Sequence, residues 1–505
     1  MVGTNRIYKI IAVVPLVALL ATGLSGCSKK SSDTTVTSED AVELTIWRAT
    51  DDEESFQELI AAYQEDHPNV TINYVYNPQW KTDPDSYLEQ SVNALATGKG
   101  PDIWSVRNDW LPAQYDKVRP APSDTVGSYS SDDAIKTATN AEAVSDLFVP
   151  VVSDDVIIDG EVYGLPLSVD SLALYVNTTI MEQVQDEVTA ANKVSNDLLP
   201  EELTAIKKIL SDGPKDWTEL VQVVPYITTK QGTSISRSAI AMGLGSNIEQ
   251  APGIISSILL QNGTQIVTND LKSAYFQNSQ QSSTGSASYP GKGAIEFYTN
   301  FAGTSNAWYT WDSADFSSGA RQAFMDGKLA MTIDDSSYYS TLKSSNISFN
   351  FNIVPLPQID SDDPTTYANY WVETVTNNSK VSDVAWDFLE FATTSNNISS
   401  YLSNTKKPPA LLNRAGEYDE DAAGLSVFTS QALIAQSWYK GPDPNQTDTI
   451  FRNWADNIAV GGKTITEATN TAAGLLTTLL QSVTPPTMGA TSTTTEAEAS
   501  PTTTE

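Results

Sequence analysis

A chain of 505 residues, 40% of them apolar, is long enough to bury a large core and to divide into more than one domain. Its 62 Asp+Glu against 29 Lys+Arg give a formal net charge of −33, which argues against nucleic-acid binding, because phosphate contacts need Lys/Arg clusters. One Cys and one His leave no intrachain disulfide and exclude the common zinc ligand sets, so no metal and no cofactor is expected.

The N-terminus reads as a secretory signal peptide. Arg6 and Lys9 precede an apolar stretch from Ile10 to Leu20, and small residues follow to Cys27. The stretch is shorter than the roughly 20 residues a spanning helix needs, and no other stretch is long and apolar enough. Leu24-Ser25-Gly26-Cys27 resembles the bacterial lipobox, in which the Cys is lipidated and becomes the first mature residue. The alternative is an ordinary signal peptide with a chance Cys. The lipobox reading divides the N-terminus into a signal peptide at 1–26 and a flexible polar tether at 27–40, with the protein held on the outer face of the cell membrane. The Thr-rich segment 483–505 reads as a disordered tail.

Within the body, Glu43-Leu44-Thr45-Ile46-Trp47 alternates polar and apolar residues as a strand does. Phe56, Leu59, Ile60 and Tyr63 follow at helical spacing, ended by His67-Pro68. Val70, Ile72, Tyr74 and Tyr76 mark a second strand. Leu88, Val92 and Leu95 mark a helix closed by Gly98-Lys99-Gly100-Pro101, and Asp102 to Val106 a third strand. This β-α-β-α-β order predicts an α/β fold with a largely parallel sheet, whose ligands bind beyond the carboxyl ends of the strands. Asp159-Gly160 predicts a hairpin between Val156-Ile157-Ile158 and Val162 to Leu165. Leu167 to Tyr175 is apolar except for Ser168, Asp170 and Ser171. Asp216 and Glu219 read as a capping pair. Gln277 to Gly293 reads as a surface loop, and Val381, Val384, Ala385, Phe388 and Leu389 as an amphipathic helix.

Catalytic motifs are missing. There is no G-x-S-x-G elbow, no H-E-x-x-H and no EF-hand loop. Gly285 to Lys292 departs from a P-loop in glycine spacing, with Gly293 where Ser or Thr belongs. Gly243-Leu244-Gly245 lacks the third glycine of a dinucleotide fingerprint, because Ile248 stands there. His67 reads as a helix-ending cap. A carboxylate pair for glycoside hydrolysis stays open among 62 acidic residues, but nothing selects one. No residue pattern therefore supports an enzyme.

The sequence resembles the extracellular solute-binding proteins of ABC transporters, family 1, the maltose-binding-protein-like group. The resemblance rests on Leu44-Thr45-Ile46-Trp47, Gly98 to Ile103 with Asn108-Asp109-Trp110, and Gly164 to Asp170 running to Tyr175-Val176-Asn177. Phe324-Met325-Asp326-Gly327-Lys328-Leu329-Ala330-Met331-Thr332-Ile333 and Ala385-Trp386-Asp387-Phe388-Leu389 follow in the family's order, over about residues 41–450. It implies a two-lobed, type II periplasmic-binding-protein-like fold, with a hinge of crossing strands near Leu165–Asp170, Tyr370–Thr376 and Leu412–Gly424. Lobe one would be 41–166 plus 375–415, and lobe two 167–374 plus 416–482. It also implies a monomeric receptor that takes a carbohydrate into the cleft and delivers it to ABC permease subunits. A carbohydrate-active enzyme, a surface adhesin or sensor, and a receptor for glycerol phosphate, polyamine or peptide are the rival readings.

Sugar recognition uses flat aromatic faces against pyranose C–H faces, and carboxylates or amides that accept hydroxyl hydrogens. Trp104, Trp217 and Trp386 sit among apolar partners and read as core. Trp47 ends the first strand and reads as either cleft or core. Asp109 matches the family's sugar-binding Asp, the alternative being a helix N-cap. Asp170 matches a polar hinge residue, since a charge in an apolar run needs partners. Asp334 and Tyr338 match the family's polar-then-aromatic loop, whose usual Trp is replaced by Ser336-Ser337-Tyr338-Tyr339. Trp308 and Trp311 form either a stacking platform or a satellite core. Trp371 and Trp438 are expected as cleft walls, and Arg48 as a salt-bridge partner for a cleft carboxylate.

Overall fold

The computed structural model describes residues 41–122, 141–232, 234–281, 287–394, 396–415 and 424–488. Cys27, the signal peptide, the tether and residues 489–505 of the tail lie outside them, as do Gly285 and residues 416–423 of the expected third crossing. Two five-stranded sheets organise the body. In the first, Val42–Arg48 runs parallel to Val70–Tyr76 on one side and to Ile103–Arg107 on the other. Trp371–Thr376 enters antiparallel beside Ile103–Arg107, and the two-residue strand Val118–Arg119 closes the edge. The second sheet has the order Phe351–Val354, Ala173–Asn177, Leu329–Asp334, Ser234–Ile240, Thr229–Gln231.

Local chemistry sets the flanking helices. Asp52 caps Glu53–Asp66 by accepting from the Ser55 amide, and the helix buries Phe56, Leu59 and Tyr63 against the first sheet. It stops at His67, whose amide returns to the Tyr63 carbonyl before Pro68 forbids a further turn. Asp83 caps Pro84–Ala96 in the same way, and Asp216 caps Trp217–Ile227 by accepting from the Glu219 amide. The hairpin is shorter than expected, Ile157–Ile158 against Glu161–Val162, because Val156 ends the helix Pro150–Val156. Asp159 and Gly160 both take positive φ, 52° and 83°, as a two-residue turn of that hand requires. The expected loop 277–293 contains a short pair, Gln280–Gln281 with Ala287–Ser288, and the first turn of the helix Pro290–Thr299.

Each sheet has its own core, and the cores fix where the chain changes lobe. Leu165, Leu167 and Val169 pack in the first core and Leu172 in the second, so the first crossing falls at Asp170-Ser171 and not at 166/167. Leu356 packs in the second core and Ala368, Tyr370 and Val372 in the first. Trp371–Thr376 is therefore a first-sheet strand throughout, and the expected boundary at 374/375 moves back to about Thr366–Ala368. Leu411 lies in the first core and Leu425 in the second.

The crossing segments lie side by side. Leu165 bridges Glu373, Ser171 bridges Ala368 and Ser168 bridges Pro409, while Thr366–Tyr367 pairs with Ala435–Gln436. Gly164 permits this approach, since a Cβ there would meet Val372 Cγ1 at 2.5 Å and the Glu373 carbonyl oxygen at 2.8 Å.

Candidate functional site

The first-lobe face beside the crossing is aromatic. Trp47 ends the first strand and meets Trp80 at 5.6 Å between centroids, and Trp80 meets Tyr87 at 5.1 Å. Tyr87 meets Trp371 edge-on at 6.0 Å, and Trp371 meets Trp110 edge-on at 5.5 Å. The Tyr87 hydroxyl reaches the carbonyls of Trp47 and Ser105, 2.9 and 2.8 Å away, which pins the middle of this ribbon to two strands. Trp80, Tyr87 and Trp110 are buried; Trp47 and Trp371 remain part-exposed. The buried rings hold the exposed ones in place.

The second-lobe face is polar. Asp170, at the crossing itself, accepts from the Ser336 amide at 3.2 Å, the Ser336 hydroxyl at 2.5 Å and the Ser171 amide at 2.8 Å. Burial, and then the charge of Asp335, push its carboxyl up to about 7. Asp335 is part-exposed and accepts from Gln250 Nε2 at 2.8 Å. Trp438 stands on the same lobe, part-exposed, its ring stacked on Phe451 at 5.3 Å and its Nε1 donating to Ser256 Oγ. Behind the crossing, the buried Asp155 carboxylate gathers donors from Ser437, from Tyr370 (2.7 Å) and from Asn108 (3.0 Å); burial raises it to about 6.

Trp47, Asp170, Trp371 and Trp438 thus keep exposed surface near the crossing. The other expected ligand residues do not. Asp109 is 6% exposed and ion-paired to Arg107 and to Lys440 at 3.1 Å, so its carboxylate is already engaged. Nor is it an N-cap, because Trp110 holds that position before Leu111–Gln114. Asp334 is buried in a two-pronged pair with Arg321, Nε at 2.7 Å and Nη2 at 2.6 Å. Tyr338 is fully buried against Tyr175 and Phe324, its hydroxyl donating to the Arg321 carbonyl. Trp311 is fully buried, stacked on Phe316 at 4.5 Å, and Trp308 packs on Phe297 and Phe301. Trp311 belongs to the second core itself, and the part-exposed Trp308 packs against it.

Arg48 does not reach the cleft. It is buried in a network with Glu373, Asp51 and Lys407 that ties the first strand to the Trp371–Thr376 strand. His67 caps its helix as expected, stacked on Tyr63. Trp104, Trp217 and Trp386 are core. Sequence reasoning missed Trp80 and Asp335. The signal for Trp80 was its place just beyond the second parallel strand. Asp335 carries the exposure that the chosen register assigned to Asp334.

Among the described residues no group of His, Cys, Asp or Glu could hold a metal ion, and no helix is long and apolar enough to cross a membrane.

The family model for bacterial extracellular solute-binding proteins matches residues 58–424. The chain belongs to that family. This solute-binding protein is 20% identical over 488 residues to the galactooligosaccharide-binding protein of Bacillus subtilis, covering 93% of this chain and 98% of that one. Among solved structures, the sugar-binding protein MalE of Xanthomonas citri superposes with a TM-score of 0.66 at 18% identity, over 87% of this chain and 98% of that chain. The cyclic alpha-maltosyl-1,6-maltose binding protein of Arthrobacter globiformis superposes at 0.64 and 17%, over 87% and 99%. At these identities the structures establish the two-lobed fold. The family is one of binding proteins, which answers the enzyme reading.

Proposed function

We propose that this solute-binding protein captures a carbohydrate, a mono- or oligosaccharide, between its lobes and hands it to an ABC permease. The observation that carries the reading is the pair of part-exposed indoles, Trp47 and Trp371, held by buried rings on one side of a crossing that carries the Asp170 carboxylate. Aromatic faces take the C–H faces of a pyranose, and carboxylates accept its hydroxyl hydrogens. The ligands named for the Bacillus, Xanthomonas and Arthrobacter proteins support the same class. Contacts from both lobes exist together only in the closed form, so ligand shifts the hinge equilibrium by its differential affinity. In this reading residues 1–26 are removed and Cys27 carries the lipid. The tether 27–40 then holds the lobes near the outer face of the membrane, where the closed form docks on permease subunits.

Thermal unfolding against a panel of mono- and oligosaccharides, glycerol phosphate and spermidine tests it. A sugar at a hundredfold excess over its dissociation constant adds about 2.7 kcal/mol of stability. The expected outcome is a raised midpoint with at least one sugar, the shift falling to about half or less in Asp170→Ala and in Trp371→Ala. A shift with spermidine or the phosphate ester alone overturns the substrate class.

A further inference from the structure

The ion pairs that bury Asp109 point to a different role for it. Four charged side chains meet where the loop after the Ile103–Arg107 strand faces the start of the helix Pro444–Ala459. Trp110 and Leu111 anchor the loop in the first core, and Ile450, Phe451 and Trp454 anchor the helix in the second. Each lobe supplies one cation and one anion. Arg107 pairs with Asp109 at 2.5 Å within lobe one, and Lys440 with Asp448 at 2.7 Å within lobe two. Across the gap, Lys440 lies 3.1 Å from Asp109, and Arg107 lies 3.8 Å from Asp448. The four formal charges cancel.

Lys440 and the Asp109 side chain are each 2% exposed, and the Lys440 ammonium also sits 5.0 Å from the centre of the Tyr367 ring. At the rim, Asn445 accepts from Trp110 Nε1 at 3.4 Å and donates to Asp85, again across the lobes. Burial opposes ionisation of Asp109, yet Arg107 and Lys440 outweigh it and hold its carboxyl below the usual range.

We infer that Asp109 and Lys440 are positioning residues that hold the two lobes together, and that Asp109 is not a ligand acceptor. A buried ion pair often fails to repay the dehydration of two isolated charges. Here each charge already has a partner on its own lobe, so closure brings together two neutral pairs, and the cross contacts are added to pairs that already exist. Removing one member reverses the balance, because it leaves an unmatched charge in the closed form that only opening can hydrate.

The inference rests on the lobes opening about the crossing segments, and its test uses no ligand, so its failure is separable from an error in the sugar class. Cys27 is the chain's only cysteine, so the full chain with Cys27→Ser takes unique spin labels at Glu89→Cys on the helix Pro84–Ala96 and Asn453→Cys on the helix Pro444–Ala459. Interspin distances in ligand-free protein report the closed-to-open ratio. With the charge set intact a resolved short-distance population is expected beside the open one, since ligand must still have an equilibrium to shift. Asp109→Asn and Lys440→Met should each lower that ratio at least tenfold, while Lys440→Arg keeps it. Once a ligand is in hand, both variants should raise its dissociation rate more than they lower its association rate.

Absence of any short-distance population in the unaltered set overturns the inference. So do unaltered distances in both variants when their circular dichroism is native. If either buried variant fails to fold, Asp448→Asn, whose side chain is 24% exposed, reads the same set from its rim and is expected to shift the ratio in the same direction.

Discussion

The two faces beside the crossing are built from different chemistry. Lobe one presents a ribbon of rings, preassembled on the first sheet and its adjoining helices and independent of the other lobe. Lobe two presents carboxylates, a serine and a glutamine around Asp170 and Asp335, with Trp438 to one side. An apolar platform makes contact without strict orientation, whereas hydrogen bonds need the ligand at a fixed angle and distance. Under the proposed function, first contact would fall to lobe one and discrimination to lobe two, with closure joining the steps.

The sharpest way to break this division is through residues that resemble site residues but belong to a core. Trp311→Ala should lower unfolding stability by about 3–5 kcal/mol, the usual range for emptying a buried aromatic site, while the folded fraction binds ligand as before. Chemical denaturation and calorimetric titration check this together; loss of affinity at native stability would return Trp311 to the cleft. Trp371→Ala should do the reverse, weakening affinity about 10- to 100-fold, or about 1.4–2.7 kcal/mol, with little effect on stability because the ring is part-exposed. Equal losses in both measurements would make Trp371 a packing residue.

A smaller effect follows from Asp170. Its carboxyl, raised from 3.8 to about 7 in the folded protein, keeps a proton that the unfolded chain releases. The stabilisation is complete below about pH 4 and is lost as pH rises through about 7, at no more than about 1.4 kcal/mol per pH unit. Asp155, raised to about 6, adds to the lower part of that window. The melting temperature should therefore fall across this range, and Asp170→Asn should flatten the fall between pH 6 and 7. An unchanged slope would remove Asp170 as its source. The smallest effect is expected from Asp335→Asn. It removes the like charge, lowers the Asp170 pKa, and should move the same limb to lower pH; a shift upward would contradict the assigned cause.

Much of the fold was legible because local patterns decide it. Leu44 and Ile46 alternate with Thr45 and Trp47, Phe56, Leu59 and Tyr63 share a helical face, and Asp216 announces a helix by its side-chain oxygen. These are interactions within a few residues. For the candidate site, the sequence showed where a polar or aromatic side chain keeps exposed surface near the crossing, at Trp371 on a strand end and at Asp170 in an apolar run. The burial of Asp109 was not legible because its partner Lys440 lies in another lobe. Whether Tyr338 and Trp311 are buried depends on what packs over each ring, and Tyr175, Phe324 and Phe316 supply that from other elements or turns. The lobe boundaries slipped for a similar reason: Leu167 and Val169 are as apolar as Leu172, and only the packed cores show which side each one joins.

The buried network of Arg48, Glu373, Asp51 and Lys407 has a mechanical consequence. Glu373 sits on a strand that pairs with Leu165, so both incoming connections are clamped to lobe one up to that row. Under the proposed closure the fulcrum would fall on the short span of Asp170-Ser171 and Thr366–Ala368, where a few backbone torsions turn one lobe against the other. In that reading a rotation at Asp170 is carried by each lobe to the cross-lobe Asp85–Asn445 contact, which must break before the mouth can open.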